Sequence, residues 1–319
     1  MSALGQQTKQ AEGQPELGTP TFDARKRHRG VFRPAGFGAS LFSRRVRRPK
    51  KLALILAMGW VAFVLLLATF ADLLPLKDII LPIGHSNEPP HWGREFLGLD
   101  VVGRSMVSRL VFGARTSYLI AICATAVSLF IGCAIGLLAV YYRGVVDFLV
   151  NLLCNVILSL PGVLLLLTLA VVFTPSYWEV IWAIALVKLP GFIRVVQAIG
   201  RSEIEKSYVI AARGMGATGS RIMWRELLPS TLVSIVTYAG VVLPTVMLTE
   251  GALSYLGFGV PSPVASWGQM IAQSQHSIRT APWQAVFPAV LFAINILALY
   301  TIADWLRVKV GVRSVDRTL

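Results

Sequence analysis

Residue types that carry catalysis or ligand binding are few in this sequence, and their spacing suits neither task. No Lys follows a Gly, so the phosphate-cradling GxxxxGK[ST] loop is absent, as is any LSGGQ-like signature. Without backbone N–H groups arranged around a phosphate, the chain is not expected to hydrolyse ATP itself. HExxH and GxSxG patterns are missing too, and His28, His85, His91 and His276 all fall outside the long apolar runs, unsuited to a buried metal site. Cys123, Cys133 and Cys154 lie inside those runs without CxxC spacing and read as small packing residues. Glu250 and Asp304 stand at the ends of apolar runs, where a helix-end charge is as good a reading as a substrate contact. No catalytic residue, metal ligand or cofactor site is assigned to the chain.

What remains is chemistry of contact. From Tyr208 to Pro229 the sequence reads YVIAARGMGATGSRIMWRELLP, a basic, glycine-punctuated stretch between two long apolar runs. Ser202 followed by Glu205 forms a capping-box pattern that predicts a helix through Ala212. Gly214 and Gly216 can end that helix, and Thr218 or Ser220 can start another toward Leu228. Two short helices at a glycine elbow make a compact knob, with Arg213, Arg221 and Arg225 at its rim.

The elements that must position this knob are membrane spans. Of 319 residues, 55% are hydrophobic and 14% charged, and the mean hydropathy is +0.65. A soluble domain could not solvate that much apolar surface. Uncharged runs at Leu52–Ala71, Thr116–Tyr142, Phe148–Trp178, Leu227–Thr249 and Ala281–Ala303 each suffice to cross a hydrocarbon core of about 30 Å. A sixth, Val180–Ile199, carries Lys188 and Arg194; Arg194 can snorkel from one end, which leaves Lys188 needing a partner inside the bundle. Pro161 and Pro244 are expected to kink their helices, and the stripe Ala124, Ser128, Gly132, Gly136 to admit a close helix neighbour.

The formal net charge of +14 points to topology rather than nucleic acid. Lys and Arg outside the spans number 12 in the N-terminal tail, one near Arg143, five in the 198–230 loop and four in the C-terminal tail, against four in the 75–112 segment and none and one in the other alternate loops. The positive-inside rule then places both termini and the knob in the cytoplasm. Residues 1 to about 40 lack apolar periodicity and read as disordered. The Arg44–Lys51 cluster reads as a topological signal with attraction to anionic lipid.

The order Ala211, Ala212, Gly216, Leu228, Pro229, with the glycine four residues past the second alanine, resembles the EAA loop by which membrane subunits of ABC importers dock on their ATPase. Ile210 occupies the place of the Glu. LGLDVVGRSMVSR, from Leu97, is similar to the GTDxxGRDxxSR stretch of the same family, with Leu99 for Thr and Ser105 for Asp, which implies an incomplete polar network. A short amphipathic surface helix is expected there. LSYLGFGVPSPVASWGQM, from Leu253 to Met270, resembles the corresponding loop of dipeptide and oligopeptide permeases, with Ala265 for a proline.

The resemblance implies an all-α polytopic protein with six transmembrane helices, the type I ABC importer permease fold with cytoplasmic coupling helices. Its expected parts are a basic tail (1–51), a first span (52–74), an external segment (75–112), a five-helix core (113–306) and a tail (307–319). The core includes the 198–230 coupling loop and a 251–285 external loop. It implies residence in a bacterial cytoplasmic membrane, surrounded by lipid, and import of di- or oligopeptides. Nickel, haem, glutathione and antimicrobial peptides are the cargoes of relatives. Implied partners are a second homologous permease, two ATPase subunits that bind ATP and Mg, and an extracytoplasmic solute-binding protein; nucleic acid is not among them. Coupling falls to Ala211, Ala212, Arg213, Gly216, Arg221, Arg225, Leu228 and Pro229. Ser234, Tyr238, Thr245 and Thr249 recur on one face of the fifth span and, with Glu250, are candidates for the translocation path. Gly257, Gly259, Ser266, Trp267 and Gly268 are expected at an external rim that meets the binding protein. A secondary transporter or channel would instead need intramembrane acids and a duplicated half, and a membrane enzyme an acid/base pair deep in the membrane; none is evident.

Overall fold

A computed structural model describes residues 51–92, 95–172 and 176–316, with side chains through residue 309. The disorder expected of residues 1 to about 40 and the Arg44–Lys50 cluster lie outside the described residues. Among these the chain is helical, with only isolated bridges (His91 to Glu95 and Leu99 to Ser105) in extended pairing. The long helices are α1 (Lys51–Thr69), α2 (Met106–Tyr142), α3 (Gly144–Ser159), α4 (Gly162–Val172), α5 (Tyr177–Glu203), α7 (Gly219–Tyr255) and α9 (Trp283–Asp316). Two short ones, α6 (Ser207–Gly214) and α8 (Trp267–Gln273), lie in the loops before and after α7.

Helices α1, α2, α7 and α9 are each long and apolar enough to cross a bilayer, and α3 with α4 makes a fifth, bent candidate. The sixth expected span is α5, whose 27 residues extend about 40 Å but carry Glu179, Lys188, Arg194, Arg201 and Glu203. The expected third span is not one helix. Pro161 forces Leu160 into extended backbone (φ −93°, ψ 137°), and α3 and α4 meet at 88°. At Pro244 the helix continues without a break.

Helix α2 packs most extensively on α5. The small-residue stripe is the reason: a Cβ built on Gly132 would lie 2.6 Å from Phe192 Cβ, and one on Gly136 2.7 Å from Val196 Cβ. Ser128 Oγ donates to its own helix at Ala124 O and across to Ala185 O at 3.0 Å. Between helices in lipid, such close contact and interhelical hydrogen bonding replace the hydrophobic drive. Cys133 and Cys154 are buried as free thiols in this packing and Cys123 is half-buried.

The expected amphipathic surface helix within 75–112 does not form. The described residues of 75–105 are turns, bends and irregular chain with two isolated bridges, and Met106–Phe112 begin the continuous helix α2, because Gly98 (φ +76°) and Gly103 (φ +88°) hold the preceding chain in reversals.

Candidate functional site

Two loop clusters occupy opposite ends of α7. The first is the knob. The capping box does not form: Ser202 and Glu203 extend α5, Ser202 Oγ donates to Ile199 O, and α6 begins at Ser207 after Lys206. The elbow does form. Gly216 N donates to Arg213 O and Ala217 N to Ala212 O, both at 3.0 Å, while Gly216 takes φ +82°. That is a Schellman closure, which needs the left-handed residue glycine supplies. Thr218 Oγ1 then accepts from Arg221 N and caps the next helix.

Within α7, residues Ile222–Leu227 are π-helical, and Leu228 N donates to Met223 O five residues back. Pro229 has no N–H for Arg225 O, so the ladder re-registers just before it. Leu228 is half-buried there and Pro229 is exposed.

Ala212 and Val209 face inward and fix α6, while Ala211, Arg213, Gly214 and Gly216 are exposed. The crown is apolar, with Ile210 61% and Met215 81% exposed. Arg213 lies over the Tyr141 ring at 5.8 Å, and Gly219 packs against that ring, so the knob rests on the end of α2. Glu203 is engaged by Lys206 (2.7 Å) and Tyr208 (2.9 Å), and Glu205 by Arg143. Arg213, Arg221 and Arg225 have no carboxylate partner among the described residues. The result is an apolar crown with a basic rim.

The opposite end gathers 75–105 and 256–282. The polar network expected to be incomplete there is extended by residues outside the motif, with Arg109 Nε left buried without a partner among the described residues. Asp100 accepts from Val102 N, Arg104 N and Arg104 Nε, all at 2.8 Å, and pairs with Arg109, whose other nitrogen donates to Gln273 at 2.9 Å. Ser105, standing where the family has Asp, donates to Glu95 at 2.8 Å, and Lys77 pairs with Glu95. Burial pushes the Asp100 carboxyl up, but the Arg104 N–H, the Arg109 charge, the Val102 N–H and the Arg104 charge together hold it below its ordinary value.

Of the residues expected at the external rim, Gly257 is exposed, while Gly259, Ser266, Trp267 and Gly268 are buried. Trp267 is 2% exposed; its Nε1 donates to Leu110 O at 3.0 Å and its ring stands edge-on to Tyr118 and Phe292. Ser266 is buried and caps α8 by accepting from Gln269 N. Gly268 lies against Gly251, where a Cβ would come 2.5 Å from Gly251 O, and Gly259 lies equally close to Ser254. Gly257 turns the chain at φ +87°. Residues 264–273 therefore fold back into the bundle, while Leu256, Gly257 and residues 261–263 stay exposed.

Glu250 is 0% exposed, inside α7 rather than at an interface. Ser117 (3.1 Å) and Ser254 (2.8 Å) donate to its two oxygens, and Ser266 Oγ reaches Ser254 Oγ at 3.3 Å. Ser234, Tyr238, Thr245 and Thr249 are all half-buried on α7. Thr245 and Thr249 donate to their own helix, and Tyr238 stands edge-on to Phe192 of α5. Asp304 is exposed. Sequence reasoning missed Asp147, which receives Asn151, Gln197 and Arg201 and joins α3 to α5; Gln197 and Arg201 lie 50 and 54 residues away, beyond any local pattern. No cluster of His, Cys, Asp or Glu fit for a metal occurs among the described residues.

Residues 128–312 match the family described as binding-protein-dependent transport system inner membrane component. The chain is 31% identical over 264 residues to a dipeptide transport system permease protein of Alkalihalophilus pseudofirmus, with 82% of this chain and 85% of that one covered. It is 33% identical to a glutathione transport system permease protein of Pectobacterium atrosepticum, covering 69% and 73%. Among solved structures it resembles the inward-facing methionine ABC transporter MetNI, with a TM-score of 0.51, 22% identity, and 64% of this chain and 97% of that one covered.

Proposed function

Since the chain belongs to the binding-protein-dependent transport system inner membrane components, a family of multi-pass permeases, we propose that it forms the membrane pathway of an importer for di- or oligopeptides. A solute-binding protein delivers the cargo at the end built from 75–105 and 256–282. Two ATPase subunits bind ATP and Mg and drive the cycle from the knob end, and a second, related permease completes the pathway. The names of the peptide permease relatives support the cargo class. The excess of Lys and Arg at the termini and the 198–230 loop supports a cytoplasmic knob and cytoplasmic termini.

The observation that carries the docking reading is the knob itself. Ile210 and Met215 stand exposed above three arginines without carboxylate partners among the described residues, on a loop clamped to α2. An apolar crown has little reason to face water unless another protein covers it. Ala211, Ala212, Arg213, Gly216, Arg221, Arg225, Leu228 and Pro229 form or support that face. A charge on Gly216 tests it. The site is exposed and open, so the damage is not burial: a side chain at φ +82° costs about 1–2 kcal/mol and puts an anion among the arginines. Gly216→Glu is expected to leave the subunit in the membrane and abolish peptide-stimulated ATP hydrolysis by the purified complex. Unchanged stimulation would refute the docking face. Glutathione is the second reading, favoured by the glutathione permease relative.

A further inference from the structure

Three features fall together near the middle of α5. Lys188 is the twelfth residue of α5, about 16 Å along the helix axis from Tyr177 and about 22 Å from Glu203. It is half-buried, with no hydrogen bond or ion pair among the described residues. The other cations of α5 are engaged: Arg194 donates to Asn155 and Arg201 to Asp147, each at 2.9 Å. One turn along the same face is Gly191, and the Tyr238 hydroxyl covers it, 2.5 Å from where a Cβ would stand. That hydroxyl also has no partner among the described residues, and it belongs to the polar side of α7. Beside Lys188, Val187 lies 3.2 Å from the Cβ position of Gly162. The α3–α4 break, with Leu160 and Pro161 exposed, is thereby set at the same level.

Each feature is costly against lipid. A charge near the bilayer centre costs about 2.5–3.5 kcal/mol on the insertion scale, and irregular backbone is tolerated at that depth only inside protein or along water. Together they leave Lys188 without a partner among the described residues, near the Tyr238 hydroxyl and the α3–α4 break.

We propose that Lys188 reads the charge of the cargo: its ammonium meets the carboxylate of a passing peptide, and the Tyr238 hydroxyl offers a second donor alongside. This rests on the importer reading and adds that the pathway selects for a free carboxylate. An acidic side chain of a neighbouring permease would supply the same chemistry, and the experiment separates the two sources.

The full importer, reconstituted in vesicles with its binding protein, is given trialanine or trialanine amide, with uptake normalised to binding-protein loading. The wild type is expected to favour the free acid. Lys188→Gln should lose about tenfold or more for the acid, as for one charge-assisted hydrogen bond, and leave the amide unchanged. Lys188→Arg should restore the preference. If Lys188→Gln lowers both substrates equally and weakens subunit association, the carboxylate belongs to the neighbouring permease and the proposal is overturned. Equal uptake of both peptides by wild type and variant overturns it while leaving ATP-driven import intact. Failure of the wild type to take up either peptide removes the peptide reading and this proposal with it.

Discussion

Trp267 decides whether the loop after α7 is a rim or a plug. Its indole is held on three sides: Nε1 donates to Leu110 O of α2, and the ring stands edge-on to Tyr118 at 6.5 Å and to Phe292 of α9 at 5.9 Å. Truncating a buried Trp to Ala typically costs about 3–5 kcal/mol, from lost contacts and the cavity left behind. The hydrogen bond is about 1 kcal/mol of this, because Leu110 O belongs to a helical ladder and is not orphaned. Edge-on pairs contribute about 0.5–1.5 kcal/mol each, which Phe would largely keep. Trp267→Ala should therefore lower unfolding stability by about 4 kcal/mol and Trp267→Phe by about 1–2 kcal/mol. Equilibrium unfolding of the purified chain in mixed micelles, followed by circular dichroism, reads both. Crosslinkers placed at Ser266 or Trp267 should not capture the binding protein in the intact complex. A Trp267→Ala variant with the wild-type midpoint, together with crosslinks from Ser266, would refute the inward fold and restore the exposed rim.

Two further outcomes follow from the polar networks. The Asp100 carboxyl is held below its ordinary value of about 3.9, so its contribution to stability is present above that pH and is lost as pH falls through the lower folded value. Stability measured from pH 6 to 2 should fall at the acid end in the wild type. Asp100→Asn should begin less stable and lose that component; an unchanged acid profile in the variant would sink the assignment. At Glu250, Glu250→Gln keeps one acceptor oxygen for one serine and an NH2 that the other serine's hydroxyl can turn to accept, whereas Glu250→Ala leaves Ser117 and Ser254 without either, at about 1–3 kcal/mol for each buried group. Near-native stability and uptake for Gln with loss for Ala are expected, and equal loss in both would show that the charge itself is needed.

The knob and the spans were legible because their signals are local. Hydropathy marks a helix over 20 residues, and a Schellman closure needs glycine at one position, which Gly216 provides. Even there, Ser202 and Glu205 matched a capping box that α5 overrode by continuing through Glu203, since its inward face, with Val196, Gln197 and Gly200, is still packed in that last stretch. The motif around Asp100 was read as incomplete because only its own residues were counted. Glu95 and Lys77, which extend it, stand ten and 28 residues before Ser105 and carry no pattern of their own.

The burial of Ser266, Trp267 and Gly268 is illegible in the sequence for a different reason. Glycines, prolines and tryptophans in this loop suit turns and interfaces, a composition that fits an outward rim as well as an inward plug. What decides between them is steric. Gly268 and Gly251 touch backbone to backbone, a contact that any side chain at position 268 would prevent, and it draws Trp267 down between Tyr118 and Phe292. Glu250 follows from the same contact. Gly251 is its neighbour in sequence, so the approach of α8 that seals the Trp also brings Ser266 to Ser254 and closes the serines around the carboxylate. A glycine pair far apart in sequence gives no periodic signal, yet here it sets the burial of both the largest side chain and the sole acid within α7 beyond its π-helical turn.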